Sequence, residues 1–333
     1  MDLKTRYLGL ELEHPIVAGA SPLSTRVDDI LRMEDAGAAA VVMHSLFEEQ
    51  LRQEAAAMER LTETVEDNFA EALSYFPPID GYKASSERYL ETLRQARERT
   101  SIPIIGSLNG VTPEGWVDHA AQMQAAGASA IELNVYYLPA DLDETGADVE
   151  RRYSEVVHAV KAAVDIPLAI KVGPFFSAFG HTAKLLAAAG ADGIVMFNRF
   201  YRPDFDTETL EANRTLELST PQEIRVGLFW LSLLYGRLDA DMAASSGVDS
   251  AKEVVKYLLA GADVVMTTSA LLRYGVEHLG VLRRGLEAWM GERSFERVGQ
   301  VRGRMSLANV ENATAYERAN YIRLLEDYET RAH

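Results

Sequence analysis

Four times in this chain the tripeptide Ala-Gly-Ala stands directly before a short apolar run, at 36–38, 126–128, 189–191 and 260–262. Glycine there is a common way to end a helix, because it takes the left-handed conformation without steric cost. A helix that ends on alanine and turns straight into a strand, four times over, marks alternating β and α units. The apolar, β-branched runs are 15–19, 39–43, 103–108, 130–134, 168–172, 193–198, 241–245 and 264–268. Two others are entered through Ile-Pro, at 102–103 and 166–167, where proline suits the first residue of a strand. Runs this short and continuously apolar read as parallel strands buried on both faces.

Helical patterns fill the intervals, at 25–36, 112–126, 149–164, 178–189 and 250–260. Eight strands alternating with helices predict a parallel sheet, and the count predicts a closed (β/α)8 TIM barrel. An open doubly wound sheet is the alternative. No Gly-x-Gly-x-x-Gly follows the first strand, which weakens its dinucleotide version. Two connections are long. Residues 48–100 contain an acidic helical stretch, 48–74, then Tyr75-Phe76-Pro77-Pro78, then a second helix over 85–99. Residues 199–240 carry Arg199-Phe200-Tyr201-Arg202-Pro203-Asp204 and a helix start at Ser219-Thr220-Pro221-Gln222-Glu223. Insertions of this length are lids, extra helices or interfaces. An amphipathic helix over 316–328 is expected to pack on the barrel or close its lower end. No linker rich in Gly, Pro or Ser divides the chain, so residues 1–333 are read as a single domain.

A net charge of −17 argues against nucleic acid and anionic membranes as partners, though a local site can still be positive. The chain has no cysteine, which removes disulfides, thiolate nucleophiles and iron–sulfur clusters ligated by this chain. The first residues have no apolar signal core, and no stretch reaches the ~18 apolar residues of a membrane span. The expectation is a cytoplasmic protein acting on a small molecule.

Lys171 sits inside the run 167–174, where an amine is costly unless something anionic or strongly hydrogen-bonding meets it. Its alternatives are snorkelling to water or pairing with a carboxylate. In a parallel barrel the site lies at the C-terminal strand ends. Those ends read Ala20-Ser21, His44-Ser45, Asn109, Asn134, Lys171, Asn198, Ser246-Gly247 and Thr268-Ser269. The ring has no carboxylate pair, no metal triad and no nucleophile–base pair. Three asparagines and a lysine can read the edge of a flat heteroaromatic ring. Small residues opening helices after strands 7 and 8 suit a phosphate. Together they describe a site for flavin mononucleotide (FMN). Singly, each has a plainer reading: a turn-forming asparagine, a structural histidine, a Ser-Gly in any loop.

The segments Pro15-Ile-Val-Ala-Gly-Ala-Ser21, Ser107-Leu-Asn-Gly110, Ile131-Glu-Leu-Asn134, Ile170-Lys-Val172, Gly190-Ala-Asp-Gly-Ile194 to Asn198, and Leu259-Ala-Gly-Ala262 resemble the dihydroorotate dehydrogenase family, FMN-dependent barrels of the soluble class, over most of residues 3–290. The resemblance is to the dihydroorotate dehydrogenase-like branch, through Asn134-Val-Tyr-Tyr137 and Phe197-Asn-Arg-Phe-Tyr-Arg-Pro-Asp204. It implies that Ala20, Ser21, Asn109, Asn134 and Lys171 contact the flavin ring or ribityl chain, with Ser45 and Asn198 beside them. Lys171 would balance negative charge near N1 and O2, and Ser246, Gly247, Thr268 and Ser269 would hold the phosphate. Asn134 and Asn198 fall where the family also contacts substrate. The resemblance leaves room for a homodimer and for a separate electron-transfer partner.

The chain departs from the family at its chemistry. The family's Asn-x-Ser-Cys-Pro-Asn loop carries a cysteine or serine base; here it reads Asn134-Val135-Tyr136-Tyr137-Leu138-Pro139. The lysine after strand 2 is His44, the Asn-x-x-Gly-Leu-Pro-Asn substrate loop is not visible near residues 74–78, and the Gly-Gly phosphate pair is Ser246-Gly247. Neutral tyrosine, with a pKa of about 10, is a poor base but a competent proton donor. The expectation is therefore a flavin-dependent oxidoreductase for CH–CH or conjugated cyclic substrates other than dihydroorotate, with catalytic candidates Tyr137, His44 and Lys171. One of the two tyrosines is expected to be packing. The alternatives are a phosphate-ligand barrel without redox work, of isomerase, aldolase or pseudo-enzyme type, and authentic dihydroorotate oxidation with tyrosine as base.

Overall fold

The structure is a computed structural model that describes residues 1–48, 85–110, 113–199, 203–213, 217–311 and 322. The expected acidic helix over 48–74 and the helix over 316–328 lie almost wholly outside the described residues, and residues 75–78 and 200–202 lie wholly outside them. Strands β1 (Thr5–Tyr7) and β2 (Leu10–Leu12) pair antiparallel. The predicted runs become β3 (Ile16–Ala18), β4 (Val41–Val42) with its continuation β5 (Leu46–Phe47), β6 (Ile104–Gly110), β7 (Ala130–Val135), β8 (Leu168–Val172) and β9 (Gly193–Met196). A small hairpin, β10 (Asp204–Asp206) and β11 (Glu211–Asn213), precedes β12 (Asp241–Ala244) and β13 (Val264–Thr267). The sheet order is β4-β3-β13-β12-β9-β8-β7-β6-β5, and β6 also pairs with β4. The second strand, broken in two, thus meets β6 along both halves, and the eight parallel strands close into a barrel.

The helices are α1 (Val27–Asp35), α2 (Ser85–Arg99), α3 (Pro113–Ala125), α4 (Gly146–Ala163), α5 (Phe179–Ala188), α6 (Ile224–Leu234), α7 (Ala251–Ala260), α8 (Ser269–Tyr274) and α9 (His278–Glu292). The Ala-Gly-Ala punctuation does what its chemistry requires: Gly37, Gly127, Gly190 and Gly261 all have positive φ, from 91° to 121°. Helix α4 starts three residues before the apolar pattern does. Thr145 and Asp148 form a reciprocal capping box there, each side chain accepting the other's backbone N–H at 3.2 Å. Among the described residues no helix is long and apolar enough to cross a membrane.

Strand alternation divides the core in two. Val17, Val42, Ile105, Ala169, Val195 and Val264 form the barrel's inner cluster. Ile16, Val41, Ile104, Ile131, Ile170 and Ile194 join the helices in the outer one. Each fully buried Ile or Leu contributes about 1.5–3 kcal/mol. The inner cluster also holds Tyr7, Leu8 and Leu12 of the β1–β2 hairpin, which the sequence reading did not anticipate. The Leu8 N–H donates to Asp241 Oδ2 at 2.7 Å, and Thr5 Oγ1 donates to the Asp263 carbonyl at 2.9 Å. Both acceptors stand where β12 and β13 begin, so the hairpin stoppers the N-terminal end. Gly193, at the start of β9, is needed for this: a Cβ there would lie 2.7 Å from Leu8 Cδ2.

Candidate functional site

At the other end of the barrel the register aligns the polar strand ends. Asn109 of β6 pairs with Asn134 of β7, Asn134 with Lys171 of β8, and Lys171 with Val195 of β9. Period-two alternation therefore sets the three polar side chains on one face of three neighbouring strands. All three are buried, Asn109 and Asn134 at 9% and 8% exposure and Lys171 at 7%. Asn198, just past β9, donates from Nδ2 to Asn134 Oδ1 at 2.6 Å, which brings it into the same group.

Lys171 has two kinds of neighbour. Its Nζ lies 3.7 Å from Glu132 Oε1, an ion pair too long to be a hydrogen bond. Glu132 occupies the next inward position of β7 below Asn134, is 1% exposed, and neither carboxylate oxygen has a hydrogen-bond partner. Lys171 also lines a pocket, together with Ala20, Asn198, Ser246, Gly247, Thr268 and Ser269. Of the readings open for this lysine, the carboxylate partner is present, and the side chain also lines the pocket.

The far side of the pocket is the loop pair after β12 and β13. Ser246 (φ 75°) and Gly247 (φ 70°) both take the left-handed conformation. Ser246 is held there by its Oγ donating to the Phe197 carbonyl at 3.0 Å and by Tyr257, whose hydroxyl donates to the Ser246 carbonyl at 2.9 Å. A Cβ on Gly247 would fall 2.7 Å from the Thr220 carbonyl oxygen, so the backbone passes too close for any side chain. The Gly247 N–H already has a partner. It donates to Ser219 Oγ at 3.0 Å, and Ser219 Oγ in turn donates to Ser269 Oγ at 2.8 Å. Ser219 was read from sequence only as part of a helix start. Its role here depends on contacts across 28 and 50 residues, for which the sequence carries no local signal. Arg199, Ser245, Val248 and Met266 also line the pocket.

The other expected residues, Asn109 and Asn134 included, stand beside the pocket rather than in its wall. Ser21 is buried, and its carbonyl accepts from Ser24 Oγ at 3.0 Å. Ser45 Oγ contacts Ser107 Oγ at 2.9 Å. His44 is fixed by its N–H donating to Ser24 Oγ at 2.6 Å and by Tyr89, whose ring centroid is 4.9 Å away; burial holds its pKa below the usual value, favouring neutral imidazole. Tyr137 packs against the outer core. Its hydroxyl donates to Glu144 Oε2 at 2.5 Å, and this bond raises its pKa. Arg152 donates to Glu144 Oε1 at 2.7 Å and lies 4.2 Å over the Tyr137 ring.

Comparison with known proteins gives a consistent pattern. The sequence profile of the family described as dihydroorotate dehydrogenase matches residues 2–290. The catalytic subunit of dihydroorotate dehydrogenase B (NAD(+)) from Methanothermobacter thermautotrophicus is 27% identical over 308 residues, 90% of this chain and 97% of that protein. The protein of the same name from Methanocella arvoryzae is 29% identical over 269 residues, 79% of this chain and 85% of its own length. That from Thermoplasma acidophilum is 25% identical over 91% of this chain and 98% of its own length.

Proposed function

Given that the chain belongs to the dihydroorotate dehydrogenase family, we propose that it is an FMN-dependent oxidoreductase acting on a small CH–CH or conjugated cyclic substrate other than dihydroorotate. The observation that carries this is one pocket lined both by Lys171 and Asn198 and by the small residues Ser246, Gly247, Thr268 and Ser269. An extended ligand with a polar flat ring at one end and a phosphate at the other matches that division. Gly19 adds to the fit: a Cβ there would stand 2.7 Å from Thr268 Oγ1, so the wall beside Ala20 is kept low.

In this reading Lys171, Asn109 and Asn134 bind the ring edge, Ala20 and Ser21 flank it, and Ser246, Gly247, Thr268 and Ser269 hold the phosphate. Binding would exchange the Ser219 hydrogen bond on Gly247 for one to phosphate. FMN, when bound, supplies the hydride chemistry. The chain's own residues orient the substrate and move its proton. Asn198, tied to Asn134, is placed to orient substrate. Tyr137 is assigned the proton: as a neutral phenol it can give one to substrate, and Glu144, which Arg152 holds, fixes the phenol oxygen in place. His44, neutral, is the second candidate. The chain has no cysteine, and the tyrosine at the family's base position is a poor base near neutral pH, which argues against removal of a proton from dihydroorotate there.

A separate electron-transfer partner and a homodimer are consistent with this reading; the family relatives are themselves named as catalytic subunits. The test is direct. The purified protein should show the visible bands of bound flavin, alone or after incubation with FMN, and should not turn over dihydroorotate with a dye acceptor. A colourless protein that gains no bands refutes the cofactor; turnover of dihydroorotate refutes the substrate assignment.

A further inference from the structure

Glu132 has no part in the reading above, yet it is among the most deeply buried charged residues described. It is 1% exposed, and neither oxygen accepts a hydrogen bond. The ion-pair partner that faces it is Lys171, at 3.7 Å. Desolvating a carboxylate without hydrogen bonds is strongly unfavourable, and buried polar groups are ordinarily satisfied. Ala130 below it on β7 and Ala169 beside it on β8 are small and apolar, so these neighbours offer its oxygens no side-chain donor.

We infer that Glu132 is a positioning residue that sets how much of the Lys171 charge the flavin ring experiences, and so lowers the reduction potential of the bound cofactor. The inference rests on the FMN reading of the pocket. The carboxylate approaches the ammonium from the stoppered side of the barrel, opposite the mouth. It anchors the amine at the row of Asn134 and offsets its positive charge in a region of low dielectric, where such charges are poorly screened. An unpaired lysine would favour the electron-rich, reduced ring more strongly. The pair makes the pocket a better electron donor than the lysine alone.

The experiment is an anaerobic titration of the two-electron midpoint potential of bound FMN, with FMN dissociation constants, in the wild type, Glu132→Gln, Lys171→Gln and the double variant. Glu132→Gln should strengthen the preference for reduced over oxidised FMN about tenfold, equivalent to a rise of about 30 mV for a two-electron couple. Lys171→Gln should shift the potential in the opposite direction. The double variant, which removes both charges, should lie near the wild type. A residue that merely supports the fold would not give shifts of opposite sign that cancel. If Glu132→Gln does not fold, the remaining pair still decides the matter, because Lys171→Gln must lie about tenfold below the double variant. Flavin bound at an unchanged potential in Glu132→Gln, or equal potentials for Lys171→Gln and the double variant, overturns the inference alone. A wild-type protein that binds no flavin overturns the pocket reading, and the inference with it.

Discussion

The Glu132–Lys171 pair makes a prediction about stability that needs no cofactor. Two unit charges 3.7 Å apart at an effective dielectric of about 20 interact by 332/(20 × 3.7), roughly 4–5 kcal/mol. Both side chains are nearly sealed from water, at 9% and 1% exposure, so neither charge is rehydrated when the other is removed. Neutralising one partner then leaves a buried unpaired charge, which costs about 3–5 kcal/mol, whereas neutralising both is close to neutral. Urea denaturation of the flavin-free protein, followed by tryptophan fluorescence, measures this for Lys171→Gln, Glu132→Gln and the double variant. Each single change should lower stability by about 3–5 kcal/mol. The double variant should cost less than either single change, so the coupling energy should exceed about 3 kcal/mol and salt should barely alter it. Additive effects, or single changes below about 1 kcal/mol, would show that the two groups do not hold each other and would refute the electrostatic reasoning.

Other expectations concern pH, the phosphate loop and the proton donor. Burial pushes His14 down to about 4 and Asp263 up to about 6. His14 therefore contributes stability above pH ~6.5 that is lost as pH falls towards 4, about 3 kcal/mol, while Asp263 contributes a similar amount below pH ~4 that is lost as pH rises to 6. The two slopes offset in the wild type, so Asp263→Asn should unmask a fall of about 3 kcal/mol between pH 6.5 and 4 in denaturation midpoints, and a flat profile would refute it. Gly247→Ala forces a Cβ onto a left-handed residue against the Thr220 carbonyl; it should lower stability by about 1–2 kcal/mol and weaken FMN binding at least tenfold, read by flavin fluorescence. Tyr137→Phe should reduce turnover by about 10²–10⁴ with FMN affinity unchanged, while Tyr136→Phe should not; the reverse pattern in kcat would move the proton to Tyr136.

What the sequence disclosed and what it hid divide along one physical line. The eight strands were legible because parallel strands buried on both faces need uninterrupted apolar residues, and runs such as Leu168–Val172 satisfy that locally. The helix ends were legible because Gly37 or Gly261 answers a backbone requirement within its own few residues. The polar row of Asn109, Asn134 and Lys171 followed once the strand ends were aligned. The hairpin at residues 5–12 was missed because three-residue strands are too short to establish a period. Ser219 was missed because its meaning comes from Gly247 and Ser269. Glu132 was seen as a letter in a motif, since nothing nearby in the chain reveals that its oxygens stay unbonded.

That hairpin has a kinetic corollary. A tube corked at its base by Tyr7, Leu8 and Leu12 leaves its mouth as the way in for small reactants. Two small reactants that each meet the proposed cofactor directly would use that mouth in turn, so they should behave as rivals for one vestibule. Steady-state lines at several concentrations of each should run parallel, with each reactant inhibiting when it is in excess.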